Sequence, residues 1–273
     1  MAARPRRRRL AIMTAPALAA DGSPTIVLKV EGLSKSFDGV EAVHAVSFTV
    51  AAGELVALIG PNGAGKTTCF NLVNGQLVPD GGSVTLSGAR IDGLAPRAIA
   101  RMGVGRTFQV AATFASMTVR ENVQLALLAR HGAYLDVAAR ATGRLVAEAD
   151  SLLERVRMTR FADQACATLA YGDAKRVELA LALAGSPRLL LMDEPTAGMS
   201  PNSRNRLMQL AVDVARDQRI AVLFTEHDMD MVFGHADRVI VLDRGRVIAA
   251  GPPAEIRANA RVQAVYLGDG DPA

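Results

Sequence analysis

Apolar and polar residues in the N-terminal third of the chain alternate in the way that half-buried β-strands require. Ile26–Val30 and Ala45–Val50 show this alternation, and Leu55–Ile59 is a mostly apolar run that also predicts a strand. Ser83–Ser87 is bounded by glycines and predicts a further short strand, while Met102–Gln109 predicts a strand that leaves the core. This part of the chain is therefore expected to be rich in strands.

The pattern changes further along, where apolar residues recur at helical spacing. Val119–Arg130 and Val137–Val156 have this spacing, with arginine and glutamate on their outer positions, and predict an inserted helical lobe. Helical and strand patterns then alternate through Ala174–Ala184, Leu189–Met192, Asn202–Arg216, Ile220–Thr225, Val239–Leu242 and Arg246–Ala250. Such alternation favours an α/β fold with a mostly parallel sheet and helices on both faces.

The composition excludes several classes of protein. The chain has 273 residues, of which 50% are hydrophobic and 21% charged. These values exclude wholesale disorder and allow a sizeable core. Two cysteines, Cys69 and Cys166, exclude a disulfide framework and are interpreted as inert core thiols. Glu54, Glu178 and Arg188 interrupt the longest apolar runs, so we expect no membrane-spanning helix.

The net charge of +4 comes from an N-terminal arm. Five of the 31 basic residues are arginines between positions 4 and 9, and the other 26 are balanced by 27 acidic residues. Charge therefore predicts no nucleic-acid partner. Residues 1–24 imitate a secretory signal, but Pro16 interrupts their apolar stretch. We interpret them as a disordered basic arm or a misplaced start, with Met13 as the alternative start; attraction to anionic lipid is a third interpretation.

The chain contains a complete phosphate-binding loop. Its residues are Gly60, Pro61, Asn62, Gly63, Ala64, Gly65, Lys66, Thr67 and Thr68. A strand pattern precedes this loop and a helical pattern, Thr68–Asn74, follows it. The glycines allow backbone N–H groups to converge on phosphate oxygens at the positive end of the helix. We expect Lys66 to reach the β- and γ-phosphates, Thr67 to hold Mg²⁺, and Thr68 to contact phosphate.

Two carboxylates follow an apolar strand pattern in the second half of the chain. Asp193 and Glu194 come directly after Leu189–Met192, where α/β sheets bind their ligands. Asp193 is a candidate for holding Mg²⁺ through water, and Glu194 for polarising the attacking water as a general base. Many strands end in a solvated acidic turn, so the pair becomes informative only together with Lys66, 127 residues earlier.

The order of these motifs resembles the ABC-type ATPases over about residues 26–268. Phe37 lies where that family stacks an aromatic ring on adenine, and Gln109, in Arg-Thr-Phe-Gln, lies where a loop couples nucleotide to the membrane partner. His227, in Thr-Glu-His-Asp, matches the switch histidine. Each residue alone has an ordinary structural explanation, so the likeness rests on their order and spacing.

A signature segment, Leu169–Asp173, completes the resemblance. Its Gly172 precedes Asp193 by 21 residues, but Ala170, Tyr171 and Asp173 stand where the family usually has Ser, Gly and Gln. We expect Asp173 to slow ATP-driven closure, because its carboxylate competes with phosphate for the positive end of the following helix. Ser200 replaces the usual Asp at the end of the D-loop, Pro195–Ser200, and predicts altered communication between two sites but not lost hydrolysis.

The resemblance implies an active ATPase with a RecA-like P-loop core, an N-terminal antiparallel β subdomain and a helical subdomain at about 112–172. It implies one domain at 25–268 and a tail at 269–273. Two copies, or one copy and a homologous partner, would enclose two ATP molecules with Mg²⁺. The residues implied are Phe37, 60–68, Ala170, Tyr171, Gly172 and Asp173 for nucleotide, Thr67, Gln109 and Asp193 for metal, and Lys66, Gln109, Glu194 and His227 for catalysis.

A finer resemblance, in Arg-Thr-Phe-Gln, Leu-Ala-Tyr-Gly, Asp-Glu-Pro-Thr-Ala-Gly-Met and Val265–Gly268, is to branched-chain amino acid importers. It implies two permease subunits, indirectly a periplasmic binding protein, and a place on the cytoplasmic face of the inner membrane. Related importers of urea, amides or aromatic acids and exporters of lipopolysaccharide stay open. So do an ABC ATPase that never meets a membrane and a regulatory subunit that hydrolyses ATP poorly. Cargo and direction rest on resemblance alone.

Overall fold

A computed structural model of the chain describes residues 24–107, 113–131 and 144–267. Its strands are β1 (Ile26–Phe37), β2 (Val40–Ala51), β3 (Leu55–Ile59), β4 (Gly81–Leu86), β5 (Ala89–Arg90), β6 (Val104–Thr107), β7 (Leu189–Asp193), β8 (Ala221–Thr225), β9 (Arg238–Asp243) and β10 (Arg246–Gly251). Its α-helices are α1 (Lys66–Val73), α2 (Pro96–Arg101), α3 (Val119–His131), α4 (Arg144–Arg155), α5 (Tyr171–Ala184), α6 (Pro201–Gln218), α7 (Met229–His235), α8 (Pro253–Ala258) and α9 (Ala260–Leu267). None of these helices has both the length and the apolar character needed to cross a bilayer.

The larger sheet has six strands in the order β10-β9-β3-β8-β7-β6. Its described pairs run parallel except for the β9–β10 hairpin. Every residue of β3 is buried, because helices or strands cover both faces. Val56 and Leu58 pack towards α1 and the smaller sheet, whereas Leu55, Ala57 and Ile59 join the core beneath the longer helices. A run of apolar residues without alternation is what such a doubly covered strand requires.

The smaller sheet is antiparallel, with the order β2-β1-β4-β5. Its first two strands are twelve residues long, so the predicted segments, Ile26–Val30 and Ala45–Val50, are only parts of them. The pairing of β1 with β2 shifts register between Val30 and Leu33 and again between Leu33 and Lys35. Each shift reverses the alternation of buried and exposed positions. A search for strict alternation therefore finds only part of each strand.

Helices α3, α4 and α5 pack against one another in the region predicted to be helical. Leu127 and Leu153 are fully buried between them. Asn122 of α3 fixes the segment before this helix, because its side chain accepts from the Phe114 N–H at 2.8 Å and donates to the Thr118 carbonyl at 2.9 Å. The predicted helix over 137–156 is described only from residue 144 onwards; its first seven residues lie outside the described part.

The predicted α/β class, with a mostly parallel sheet, an antiparallel β subdomain and added helices, is confirmed. Two helix starts differ from the sequence prediction by more than one residue. Helix α1 begins at Lys66 and not at Thr68, and α5 begins at Tyr171 and not at Ala174. In both cases the first turn consists of polar, small or glycine residues that present backbone N–H groups, so the apolar spacing begins one turn late.

Four short helices, α2, α7, α8 and α9, were not predicted, because two turns contain too few apolar positions to define a period. Strand β6 is also shorter than the predicted Met102–Gln109; residues 108–112 lie outside the described part. The arm at 1–23 and the tail lie outside it as well. The predicted division into one domain with a helical subdomain stays a prediction.

Candidate functional site

The phosphate loop, residues 60–68, connects the buried strand β3 to helix α1. Two of its glycines have no room for a side chain. A Cβ at Gly60 would lie 2.2 Å from the Leu242 carbonyl oxygen, and one at Gly65 would lie 2.4 Å from the Ala42 carbonyl oxygen. Both residues also have positive φ, 156° and 101°. The loop is therefore held in one curvature by the strand behind it and by β2 beside it.

Lys66 is buried in this loop, with 8% of its surface exposed. Its Nζ donates to the Gly60 carbonyl at 2.7 Å and to the Pro61 carbonyl at 3.0 Å. Burial lowers the pKa of Lys66, and the carboxylates of Glu194 and Asp193 oppose that shift. The geometry thus brings the loop lysine and both predicted carboxylates into one electrostatic environment. The Thr67 side chain is exposed at the first turn of α1 and is open to a ligand.

Asp193 ends β7, and its two carboxylate oxygens have different partners. Oδ1 accepts from the Thr225 hydroxyl at 2.7 Å, and Oδ2 accepts from Nη2 of Arg106 at 3.2 Å. Thr225 ends the neighbouring strand β8 and also accepts from the Glu194 N–H at 3.1 Å. Strand ends from β6, β7 and β8 therefore orient the carboxylates, as expected at the carboxyl edge of a parallel sheet.

Glu194 has a positive φ of 46°, an uncommon backbone conformation for this residue type. Its Oε1 lies 2.7 Å from Nε2 of His227. The His227 side chain is 51% exposed and that of Glu194 is 26% exposed, so both can meet a ligand from solvent. The two predicted catalytic residues, 33 positions apart in sequence, are thus brought into contact.

Glu226, the buried residue before His227, fixes the loop that carries this histidine. This buried carboxylate accepts from the Thr196 hydroxyl at 2.6 Å and from the Thr196 N–H at 2.9 Å. Thr196 follows the Asp193–Glu194 pair in the D-loop. The Glu226–Thr196 contact therefore ties the loop of His227 to the segment that follows Asp193 and Glu194, and the periodicity of the sequence gave no signal of it.

Phe37 ends β1 and leaves 43% of its surface exposed, with the Lys35 Nζ 5.7 Å from its ring centroid. An exposed aromatic at a strand end is free to stack on a planar ligand. Gln109, predicted to contribute to catalysis and to the metal, lies outside the described residues.

The signature segment lies at the start of α5. Ala170 is the N-cap of this helix. Tyr171 is 50% exposed, and its hydroxyl donates to the Ala197 carbonyl at 3.2 Å. The Asp173 carboxylate lies 3.4 Å from Nη1 of Arg176, one turn along the helix. These described contacts run to the D-loop and within α5, and not to the phosphate loop of the same chain.

The D-loop packs closely against the signature segment. Gly198 has a φ of 75°, and a Cβ there would lie 3.6 Å from the ring of Tyr171. Ser200 is the N-cap of α6, and its hydroxyl pairs with that of Ser203 at 3.0 Å. The neutral Ser200 is therefore engaged with its own helix, at the position where the resemblance implies an aspartate.

The C-terminal helix α9 lies beside the phosphate loop, a proximity that sequence reasoning missed. A cleft of about 520 Å³ is lined by Pro61–Ala64 of the loop and by Arg261 and Val265 of α9. Tyr266 is partly exposed, but burial of its hydroxyl raises its pKa to about 12, and a hydrogen bond with the Gly60 backbone opposes that shift. The closing Val-Tyr-Leu string thus contributes to the surroundings of the loop.

Comparison with known proteins agrees with this geometry. The family described as "ABC transporter" matches residues 43–197, and the family described as "Branched-chain amino acid ATP-binding cassette transporter" matches residues 246–272. The high-affinity branched-chain amino acid transport ATP-binding protein LivG of Salmonella typhimurium is 40% identical over 253 residues, which cover 89% of this chain and 98% of that protein. BraF of Pseudomonas aeruginosa, with the same description, gives the same values.

A solved structure of an ATP-binding cassette is similar over most of this chain. The crystal structure of a nucleotide-free ATP-binding cassette from an ABC transporter has a TM-score of 0.79 and 28% identity, over 89% of this chain and 100% of that chain. The chain therefore belongs to the ATP-binding subunits of ABC transporters and is an ABC-type ATPase.

Proposed function

We propose that this ATPase powers the import of branched-chain or related amino acids through separate permease subunits. One observation carries the proposal: the chain is 40% identical, almost from end to end, to two proteins described as branched-chain amino acid transport ATP-binding proteins. The match of residues 246–272 to the family described as "Branched-chain amino acid ATP-binding cassette transporter" also supports it. The proposed location is the cytoplasmic face of the inner membrane.

The donor groups at the site fit Mg²⁺ and a nucleotide triphosphate. Hydroxyl and carboxylate oxygens, here of Thr67 and Asp193, are ligands that Mg²⁺ prefers, and it usually takes few of them from protein when phosphates supply the rest. Gln109 is proposed to join them. Bound Mg²⁺ would neutralise charge on the β- and γ-phosphates. Lys66 would leave the carbonyls of its own loop for the phosphate oxygens, a charge-assisted contact.

Glu194 and His227 are proposed to act as one catalytic unit. Glu194 orients a water molecule and accepts its proton, while His227, at 2.7 Å from the carboxylate, fixes the side chain and stabilises charge on the γ-phosphate. The hydrogen bond from the Glu194 N–H to the Thr225 hydroxyl, at 3.1 Å, supports this role, because it fixes the backbone that carries the carboxylate.

The signature segment is proposed to serve a second ATPase subunit, identical or homologous. The exposure of Tyr171 supports this proposal, as do the described contacts of the segment, which run to the D-loop and within α5. Residues 170–173 of one chain would close over the ATP held by Phe37 and the phosphate loop of the other. Gln109 and the segment from Phe114, which is 57% exposed, to Glu121 would pass that closure to the permeases.

A pull-down and an uptake assay together test the proposal. The tagged chain is isolated from gently solubilised membranes of its own cells, and leucine uptake is measured after deletion and complementation. We expect co-purification of two permeases, and restoration of uptake by the wild-type chain but not by Glu194→Gln. Asp217→Asn is the control, because Asp217 is an exposed carboxylate of α6.

Recovery of no membrane protein would refute a transport role. Recovery of permeases together with unchanged leucine, isoleucine and valine uptake in the deleted cells would refute the cargo. In that case, uptake of urea, amides and aromatic acids would be measured next in the same strains.

A further inference from the structure

Arg106 joins three elements of the site through one guanidinium group. Its Nη2 donates to Oδ2 of Asp193 at 3.2 Å, and its Nη1 donates to the side-chain oxygens of Asn71 and Gln76, each at 2.9 Å. Asn71 belongs to α1, the helix that begins with Lys66, and Gln76 follows that helix. The side chains of Arg106 and Asp193 are only 14% and 15% exposed, so the pair is weakly screened by solvent.

The strand register explains why these groups meet. In the parallel pair of β6 and β7, Arg106 is opposite Leu191. Side chains two residues apart in a strand share a face, so Asp193 projects from the face on which Arg106 lies. Leu191 of that face packs in the same core as α1. Arg106 therefore bridges the carboxyl end of β7 to the helix of the phosphate loop.

The contacts of Asp193 leave capacity for a further ligand. The Thr225 hydroxyl holds one carboxylate oxygen and Arg106 holds the other. An ionised carboxylate has about four lone-pair sites, so two donors fix its rotation without using all of them. A guanidinium suits this task because its donors form a rigid planar fork, whereas the ammonium group of lysine is a point charge.

We propose that Arg106 is a positioning residue for the metal carboxylate, holding Asp193 in a fixed place relative to α1 and so relative to the Thr67 hydroxyl. This inference rests on the proposed function, since it requires that Asp193 helps to hold Mg²⁺. Arg106 does not touch the metal or the phosphates; it acts through Asp193. Its loss therefore weakens Mg²⁺ binding more than it weakens ATP binding.

The test is ATP binding to Arg106→Met and Arg106→Lys, measured by calorimetry without Mg²⁺ and across a Mg²⁺ titration. We expect ATP affinity without metal to match the wild-type chain. The Mg²⁺ concentration for half-maximal enhancement of binding should rise about tenfold in Arg106→Met, as for other residues that orient metal ligands. Arg106→Lys should lie between the two. Arg90→Met is the control, because Arg90 also pairs with an aspartate but is 68% exposed on the smaller sheet.

Equal Mg²⁺ dependence in the wild-type chain and both Arg106 variants would overturn the inference. So would a loss of ATP affinity that is the same with and without Mg²⁺, since that marks a role in folding alone. If Arg106→Met does not fold, Arg106→Lys decides the question. A wild-type chain that binds ATP without regard to Mg²⁺ would instead refute the proposed metal site, and the inference with it.

Discussion

The phosphate loop and the signature segment contrast in how much of their surroundings one chain supplies. Lys66 is 8% exposed and donates to two carbonyls of its own loop. Tyr171 is 50% exposed, and Asp173 pairs only along its own helix among the described contacts. The phosphate loop finds its contacts within one chain, whereas the signature segment leaves part of its surface exposed to a partner. Changes in the first should act on the isolated chain, and changes in the second only where two subunits meet.

The largest effect is expected for Glu194→Gln. Loss of a general base lowers turnover roughly 10²–10⁴-fold, while the phosphate loop still binds ATP. Steady-state phosphate release and ATP calorimetry on the isolated chain measure the two quantities. Asp217→Asn, on an exposed helix surface, should change neither. Turnover of Glu194→Gln within tenfold of the wild-type rate would remove Glu194 from the role of base.

Gly172→Asp should lower turnover more than tenfold, because a carboxylate facing the phosphates of a second subunit is repelled. A Cβ at Gly172 would lie 3.4 Å from the flexible end of Met199, so the fold should tolerate it. ATP binding to the isolated chain should be unchanged, and this separates the variant from any in the phosphate loop. Gly234→Asp, where a Cβ meets open space, is the control. Impaired ATP binding by the isolated Gly172→Asp chain would show that the signature segment also serves the phosphate loop of its own chain, contrary to the contrast drawn between the two regions.

Phe37→Ala should weaken ATP affinity about tenfold, since stacking of a base on an aromatic ring contributes about 1–3 kcal/mol. The effect should appear in the isolated chain and be similar for GTP, whose base also has a stacking face. Phe37→Tyr keeps the ring and should bind normally. An affinity for ATP that does not change in Phe37→Ala would show that the base lies elsewhere.

The smallest effect is expected for Asp173→Gln, which should raise turnover about two- to fivefold. A carboxylate in the first turn of a helix interacts with the positive end of the helix dipole by about 0.3–1 kcal/mol. Without the carboxylate, that positive end can interact with phosphate alone. The increase should depend on protein concentration, because it needs a second subunit. An unchanged or lower rate would count against a braking role for Asp173.

The phosphate loop could be predicted because its requirements are local. A buried strand, the glycines at positions with no space for Cβ, and a following helix all lie between Leu55 and Val73, and the structure places them as expected. The meeting of Glu194 with His227 was predicted only through resemblance, since no spacing within either segment shows that β7 and β8 are neighbours.

Arg106, Thr225 and Glu226 escaped sequence reasoning for a physical reason. Each acts through a partner at least 30 residues away, and strand order, which brings them together, is not written in the alternation of any one strand. Arg106 is part of the Arg-Thr-Phe-Gln string, but nothing in that string shows that its side chain meets Asp193, 87 residues later. The register shifts in β1 and the two-turn helices were likewise hidden because both interrupt a period before it can be recognised.

The position of β3 between β9 and β8 also bears on how the chain is made. The Leu55 N–H donates to Asp237, 182 residues later, and Glu54 accepts from Arg238, 184 residues later. A ribosome releases these partners only near the end of synthesis. Until then the fully buried strand β3 has neither neighbour, and contacts of such long sequence separation form slowly. The nascent chain therefore keeps an unpaired apolar strand for most of its synthesis, and such a strand is prone to aggregation until its neighbours arrive.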